Sequence, residues 1–233
     1  MATEDTNKRL ADVAEWLSEL RSRCAASVLP ADLSVTAKVP FKLRVYREVL
    51  LHRLADLAEA ARDQFEQGRP VPGSVLARAA FETMAVLYYF HKMVTRAVGE
   101  KDAVALDQMA MRGMFGAKDK STGYEALNVL TVVGHLDKEF KGLAGMFEFL
   151  CEYAHPNMAG TLTSYEQPLR AEQMGDPTVP VLLGRENNHI AMGHGLICLG
   201  MAIRVGGTYH RRLAELDPPV VSICEAAISG AGE

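Results

Sequence analysis

From Gly73 to Val94 the chain reads G-S-V-L-A-R-A-A-F-E-T-M-A-V-L-Y-Y-F-H-K-M-V, and the apolar character continues to Val98. A helix that is apolar on almost every side is normally wrapped by other helices, so this stretch is expected to be the central helix of a bundle. Of the charges within it, Arg78 and Glu82 are four residues apart and therefore on one face, where they can pair. At a surface such a pair would contribute ~0.2–0.5 kcal/mol. Inside a bundle it must be partnered, because losing one member would leave an uncompensated buried charge.

Apolar positions at helical spacing mark the other helices. Leu10, Val13, Leu17, Leu20 and Cys24 predict one over 6–28, ended by Pro30. Leu43, Tyr46, Leu50, Leu54, Leu57 and Phe65 predict a longer one from Pro40 to Gln67, stopped by Gly68 and Pro70. The Met-rich run A-L-D-Q-M-A-M-R-G-M-F-G predicts a shorter helix closed by Gly113 or Gly116. Thr122 and Glu125 have capping-box spacing ahead of Leu127, Leu130, Val133 and Leu136, for a helix reaching about Glu139. Met146, Phe147 and Leu150 predict a short helix ending at C-E-Y-A-H, since Pro156 holds His155 out of helical geometry. A last long helix is expected from Glu186 to Leu216, broken by Pro218 and Pro219. Before it, T-L-T-S-Y-E-Q and T-V-P-V-L-L-G are rich in β-formers and predict a hairpin at about 161–184. The expected architecture is thus a single all-α domain over 1–233. It is a helical bundle around a central apolar helix, with a small β-hairpin insertion after residue 156.

Composition narrows the function classes. The 233 residues are 48% hydrophobic and 23% charged, with only 7% aromatic, as in a helix-rich globular chain. A net charge of −4 gives no general attraction to nucleic acid or to an anionic membrane. The cysteines, Cys24, Cys151, Cys198 and Cys224, form no C-x-x-C, so neither a disulfide framework nor a cysteine-rich zinc site is suggested. The opening M-A-T-E-D-T-N-K-R-L has no apolar leader core, and no run is expected to reach the ~18 apolar residues of a membrane span. A soluble cytoplasmic protein without a leader is expected.

The segment from Cys151 to Asn157, C-E-Y-A-H-P-N, is the most unusual local sequence. Together with R-A-A-F-E at Arg78 to Glu82 and N-V-L-T from Asn128, it resembles an uncharacterised group of bacterial helical proteins with a Ser/Cys-Glu-Tyr-Ala-His-Pro-Asn signature. The resemblance covers about the middle half of the chain and implies a helical fold. The chain is also distantly similar to the HEPN superfamily of helical bundles, which implies defence or toxin ribonuclease activity as an alternative.

Four sites are weighed on residue chemistry. Arg78, Glu82, Glu152, His155 and Asn157 are expected to form one polar cluster. Arg78 would bridge Glu82 and Glu152, His155 would turn to the network, and Asn157 would tie the turn. Such a cluster would serve fold specificity or bind a small polar or anionic ligand. Arg44, Arg47, His52 and Arg53 form a basic stretch, in which arginine could hold a phosphate and histidine act as acid or base on an RNA 2′-hydroxyl. The HEPN-type Arg-x(4–6)-His motif occurs at Arg47/His52 and Arg204/His210, but chance placement gives about 1.4 matches, so the motif adds no weight. Glu152-x-x-His155 and Glu186-x-x-His189, with Glu82 and Glu59, have the ligand types of a di-iron bundle and make a di-iron oxidase the second alternative, although both pairs come last in the chain. Cys151 and His155, four apart, lack a third orienting group for nucleophilic catalysis. No G-x-S-x-G or dinucleotide fingerprint is present. The leading expectation is a dimeric helical interaction or small-ligand-binding protein with no metal, no cofactor and no membrane partner.

Overall fold

The computed structural model describes residues 4–119, 121–166, 176, 178–184 and 189–230, and every regular element among them is helical. In order these are α1 (Glu4–Ser22), a 3-10 turn (Pro30–Asp32), α2 (Val39–Glu66), α3 (Pro70–Glu100), α4 (Ala103–Phe115), α5 (Val129–Glu139), α6 (Leu143–Ala154), α7 (Leu162–Tyr165), α8 (His189–Ala214) and α9 (Asp217–Gly230).

The two longest helices are set by their ends. Pro40 and Pro70 lie in the first turns of α2 and α3, where a missing N–H removes no intrahelical bond. Gly68 follows α2 at φ +67°; its N–H bonds Phe65 O at 3.0 Å and that of Arg69 bonds Gln64 O at 2.9 Å, a Schellman closure. The same closure ends α3 with Lys101 at φ +56°, after which Asp102 caps α4 by accepting from Ala105 N at 2.9 Å.

The core forms where α8 lies against α2 and α3, with α1 outside α8 and α2, α5 and α6 covering α3, and α4 and α9 against α2. Glycines let the backbones approach. A β-carbon at Gly195 would lie 2.5 Å from Phe65 Cζ, and one at Gly73 2.6 Å from Phe65 Cε1, so this buried ring is seated between glycines of α8 and α3. Further along α8, a β-carbon at Gly206 would meet Leu54 Cδ2 at 2.4 Å, and one at Gly200 would meet Trp16 Cζ3 at 2.6 Å.

Several expectations are corrected. No single apolar helix holds the centre: α3 is buried along much of its length, but it carries a half-exposed stripe with Arg78 and Glu82, and α8 shares the core with it. No hairpin is found among the described residues of 161–184. Leu162–Tyr165 turn into the short α7, closed by Tyr165 N to Thr161 O at 2.9 Å and by Ser164 Oγ donating to Ala159 O at 2.7 Å, and only an isolated Glu166–Leu183 bridge remains. Local turn bonds override the β preference of Thr and Tyr there. α1 stops at Ser22, well before Pro30, because tightening bonds from Arg23 and Cys24 N–H close it and Arg23 turns to Gly207 O at 3.3 Å. Thr122 lies in a loop, bonded to Phe115 O, and α5 is instead capped by Asn128 accepting from Thr131 N at 3.2 Å. Finally, Ile190–Ala214 is long and apolar enough to cross a membrane by length and composition; most of that window is buried inside the bundle, which accounts for its apolarity.

The Phe65 seat makes a direct prediction. Gly195→Val should lower stability by about 1–3 kcal/mol through overpacking, despite the better helix former. In urea unfolding followed by circular dichroism, that loss should shrink in a Phe65→Leu background, where the ring no longer fills the space.

Candidate functional site

The expected polar cluster is present as two separate pairs. Arg78 Nη2 lies 3.1 Å from Glu82 Oε1, with both side chains about a third to a quarter exposed, and the guanidinium stands 5.4 Å from the Phe147 ring centre. Asn157 Nδ2 donates to Glu152 Oε2 at 2.5 Å, and its Oδ1 accepts from Gly160 N at 3.1 Å, which ties the turn after α6. Among the described residues no hydrogen bond or ion pair joins Arg78 to Glu152. His155 sits exposed at the C-cap of α6 in extended backbone, without a ring partner among those residues.

The basic stretch of α2 is drawn into a buried ion network. Arg47, one of the few charged side chains that is nearly fully buried, donates from Nε to Glu48 Oε1 at 2.9 Å and from Nη1 to Asp217 Oδ1 at 3.0 Å. Arg44 closes on the same Asp217 with Nη2 at 2.7 Å and Nε at 3.1 Å. On the other side, His210 Nε2 of α8 lies 3.2 Å from both oxygens of Glu48. A carboxylate only accepts, so the Nε2 atom carries the proton. Burial works to raise the Glu48 carboxyl, but His210 and Arg47 outweigh it and hold it below the ordinary 4.5. The remaining members of the stretch are occupied elsewhere: His52 Nε2 lies 2.9 Å from Ala25 O, and Arg53 Nε donates to Thr83 Oγ1 at 3.2 Å. Sequence spacing could not have found this network, since Glu48 and His210 are 162 positions apart.

A second carboxylate is shared by tyrosines. Glu139, at the end of α5, accepts from Tyr88 Oη at 2.8 Å and from Tyr209 Oη at 3.1 Å. Burial and that hydrogen bond push Tyr209 up to about 12 and raise Tyr88 further. The Arg212 guanidinium lies 5.2 Å from the Tyr209 ring centre, and burial with the Arg212 charge lowers the neighbouring His91.

A cleft of about 780 Å3 opens between α1 and α8 with Tyr209 of the second network in its lining, within the roughly 300–1,000 Å3 typical of small-molecule sites. Its α8 wall carries Ile197, Met201, Arg204, Thr208, Arg211 and Arg212, and its α1 wall includes Val13, Trp16 and Glu19. Arg204 stacks on Trp16 with its guanidinium 5.2 Å from the ring centre. Among the described residues Arg204, Arg211 and Arg212 have no carboxylate partner, whereas Arg23 in the same cleft is tied to Glu19. The signal for this site was legible, because Arg204, Arg211 and Arg212 recur at i, i+7 and i+8 on one face of an otherwise apolar helix.

Among the described residues no three His, Cys, Asp or Glu side chains are grouped as for a metal. Glu59 accepts from Arg21 at 2.5 Å and Glu82 is held by Arg78, while Glu186 and the His189 ring lie outside the described residues. No family model, curated protein or solved structure matches the chain, so the sites are read from their own geometry.

The two kinds of charge pair should separate on substitution. Glu48→Ala should cost about 3 kcal/mol near neutral pH, since it leaves buried Arg47 and His210 short of a partner. Glu82→Ala should cost ~0.2–0.5 kcal/mol, as for a half-exposed helical pair. A carboxyl held low in the folded state adds stability above its unfolded value and loses it as pH falls through the folded one. Urea midpoints of the native protein should therefore drop as pH falls below about 4.5 more steeply than those of Glu48→Gln, in which this group no longer titrates.

Proposed function

We propose that the protein binds a small anionic ligand in the cleft between α1 and α8, as a binding protein rather than through chemistry at the Cys151 to Asn157 segment. The observation that carries this reading is the set of arginines at 204, 211 and 212. They line a volume of ligand size without carboxylate partners among the described residues, while Arg44 and Arg47 are both tied to Asp217. A guanidinium offers paired donors that match a carboxylate or phosphate, and the Trp16 face beside Arg204 favours keeping that arginine in place when the cleft is empty. Net negative charge does not oppose this, because in physiological salt charges farther away than roughly 8 Å are largely screened and the local arginines dominate.

Ribonuclease action at Arg47 and His52 draws no support from their surroundings. Arg47 is buried between Glu48 and Asp217, and the His52 ring nitrogen is engaged by the Ala25 carbonyl. Neither is placed to meet a polyanion.

The sole tryptophan of the chain lies in the cleft, so its emission reports on this site. Titration with inorganic phosphate and pyrophosphate should change Trp16 emission saturably, with affinity reduced about tenfold or more in an Arg204→Gln/Arg211→Gln variant that keeps its helical circular dichroism. Rising salt should weaken the binding. A flat titration by fluorescence and by calorimetry for both of these anions and for carboxylates alike would remove the reading.

A further inference from the structure

The chemistry of the cleft changes along its length, and that gradient specifies the ligand more closely than its charge alone. Going down α8, Leu196, Ile197, Gly200 and Met201 come first, and Arg204, Thr208, Arg211 and Arg212 follow on the same side. The parallel run of α1 brings Val13 to the apolar half and sets Trp16 at the junction, against Gly200 and Arg204. Ile197 is 39% exposed there, a large aliphatic side chain left open within a concave wall. From Ile197 to Arg211 the helix rises roughly 21 Å, long enough for a head and an extended chain in sequence.

We propose that the occupant is a monomeric amphiphilic anion, an aliphatic chain ending in a carboxylate or similar acid head. The head lies among Arg204, Arg211 and Arg212, and the chain covers Ile197 and Met201 past Trp16. This rests on the cleft being the anion site proposed above. A bare inorganic anion would use the arginines and leave Ile197 and Met201 wet. A neutral chain would use Ile197 and Met201 and leave the three exposed guanidinium groups to water. Direction is set by where the unpaired cations lie: beside the apolar half α1 brings Arg9, paired with Asp5, and Asp12, so no net positive charge stands there, while Glu19 in the cationic half is already neutralised by Arg23. A polyanion fits poorly, because beyond Arg204 it would have to lie along Leu196, Ile197 and Met201.

The test uses the full chain and four soluble probes, each below its micellar concentration: dodecanoate, acetate, dodecyltrimethylammonium and inorganic phosphate. Trp16 emission and calorimetry are the readouts, with circular dichroism to show that the fold persists. The expected result is one-site dodecanoate binding at least about a hundredfold tighter than acetate. It should weaken about tenfold in Arg204→Gln/Arg211→Gln and also in Ile197→Ser/Met201→Ser, with little binding of the alkyl cation. Equal affinity for dodecanoate and the alkyl cation would overturn the proposal, showing adsorption of chains without head recognition. Saturable phosphate binding with no gain from the chain would overturn it too, while leaving the anion site standing. Silence towards dodecanoate and phosphate alike would remove both readings. Arginine-dependent sedimentation with phosphatidylglycerol vesicles, without binding of free dodecanoate, would move the partner to a membrane surface and overturn the monomeric ligand.

Discussion

The approach of α8 to α2 and α3 is the constraint on which the rest of this molecule depends. Gly195 and Gly206 have no space for a β-carbon, since Phe65 and Leu54 fill it. Packing at that density fixes the register of the helices, because sliding α8 along α2 would drive backbone or side chains into those buried groups. The register then decides the chemistry. It sets His210 opposite Glu48 and presents the arginine face of α8 beside α1. Glycine lowers helix propensity by about 1 kcal/mol at each interior position relative to alanine, and here burial of Phe65 and Leu54 offsets that loss.

Charge placement follows a division between the inside and the rim. Arg47 and Glu48 are buried, and each uses more than one partner, which is the condition under which ions persist in an apolar interior. Asp217 opens α9 just ahead of Pro218 and Pro219, so the first turn of that helix supplies the carboxylate that holds two arginines of α2. At the cleft the pattern differs, and Arg204 stands over an indole and Arg212 over a phenol ring, with no acid paired to either among the described residues. A charge held by aromatic faces keeps its hydrogen-bond donors available, which a salt-bridged one does not.

The long elements were legible because two independent signals agreed in each. An unbroken apolar stripe with proline and Gly68 at its ends led to Pro40 to Gln67, against Val39–Glu66 observed. Where only one signal spoke, it failed. The β-formers around Thr161 and Tyr165 expressed propensity alone, and side-chain bonds such as Ser164 to Ala159 turned the segment helical. Thr122 and Glu125 matched a capping spacing, yet Asn128 lay nearer the first apolar turn and took the role. Pairing within a helix could be read from spacing, as Arg78 with Glu82. Arg47 with Asp217 could not, because their meeting depends on how α9 returns over α2. The arginine stripe of α8 was visible in the sequence but was overshadowed by the apolar pattern in which it is embedded.

Tyr209 and His210 are neighbours in α8, yet one reaches Glu139 at the end of α5 and the other Glu48 in α2. Successive side chains point about 100° apart around a helix axis. Two carboxylates on different elements therefore grip α8 from two directions and lock its rotational phase, much as two keys hold a shaft. Arg211 and Arg212 come next, so the bearing of the cleft's cations around that axis is inherited from two acids with which, among the described residues, they form no ion pair.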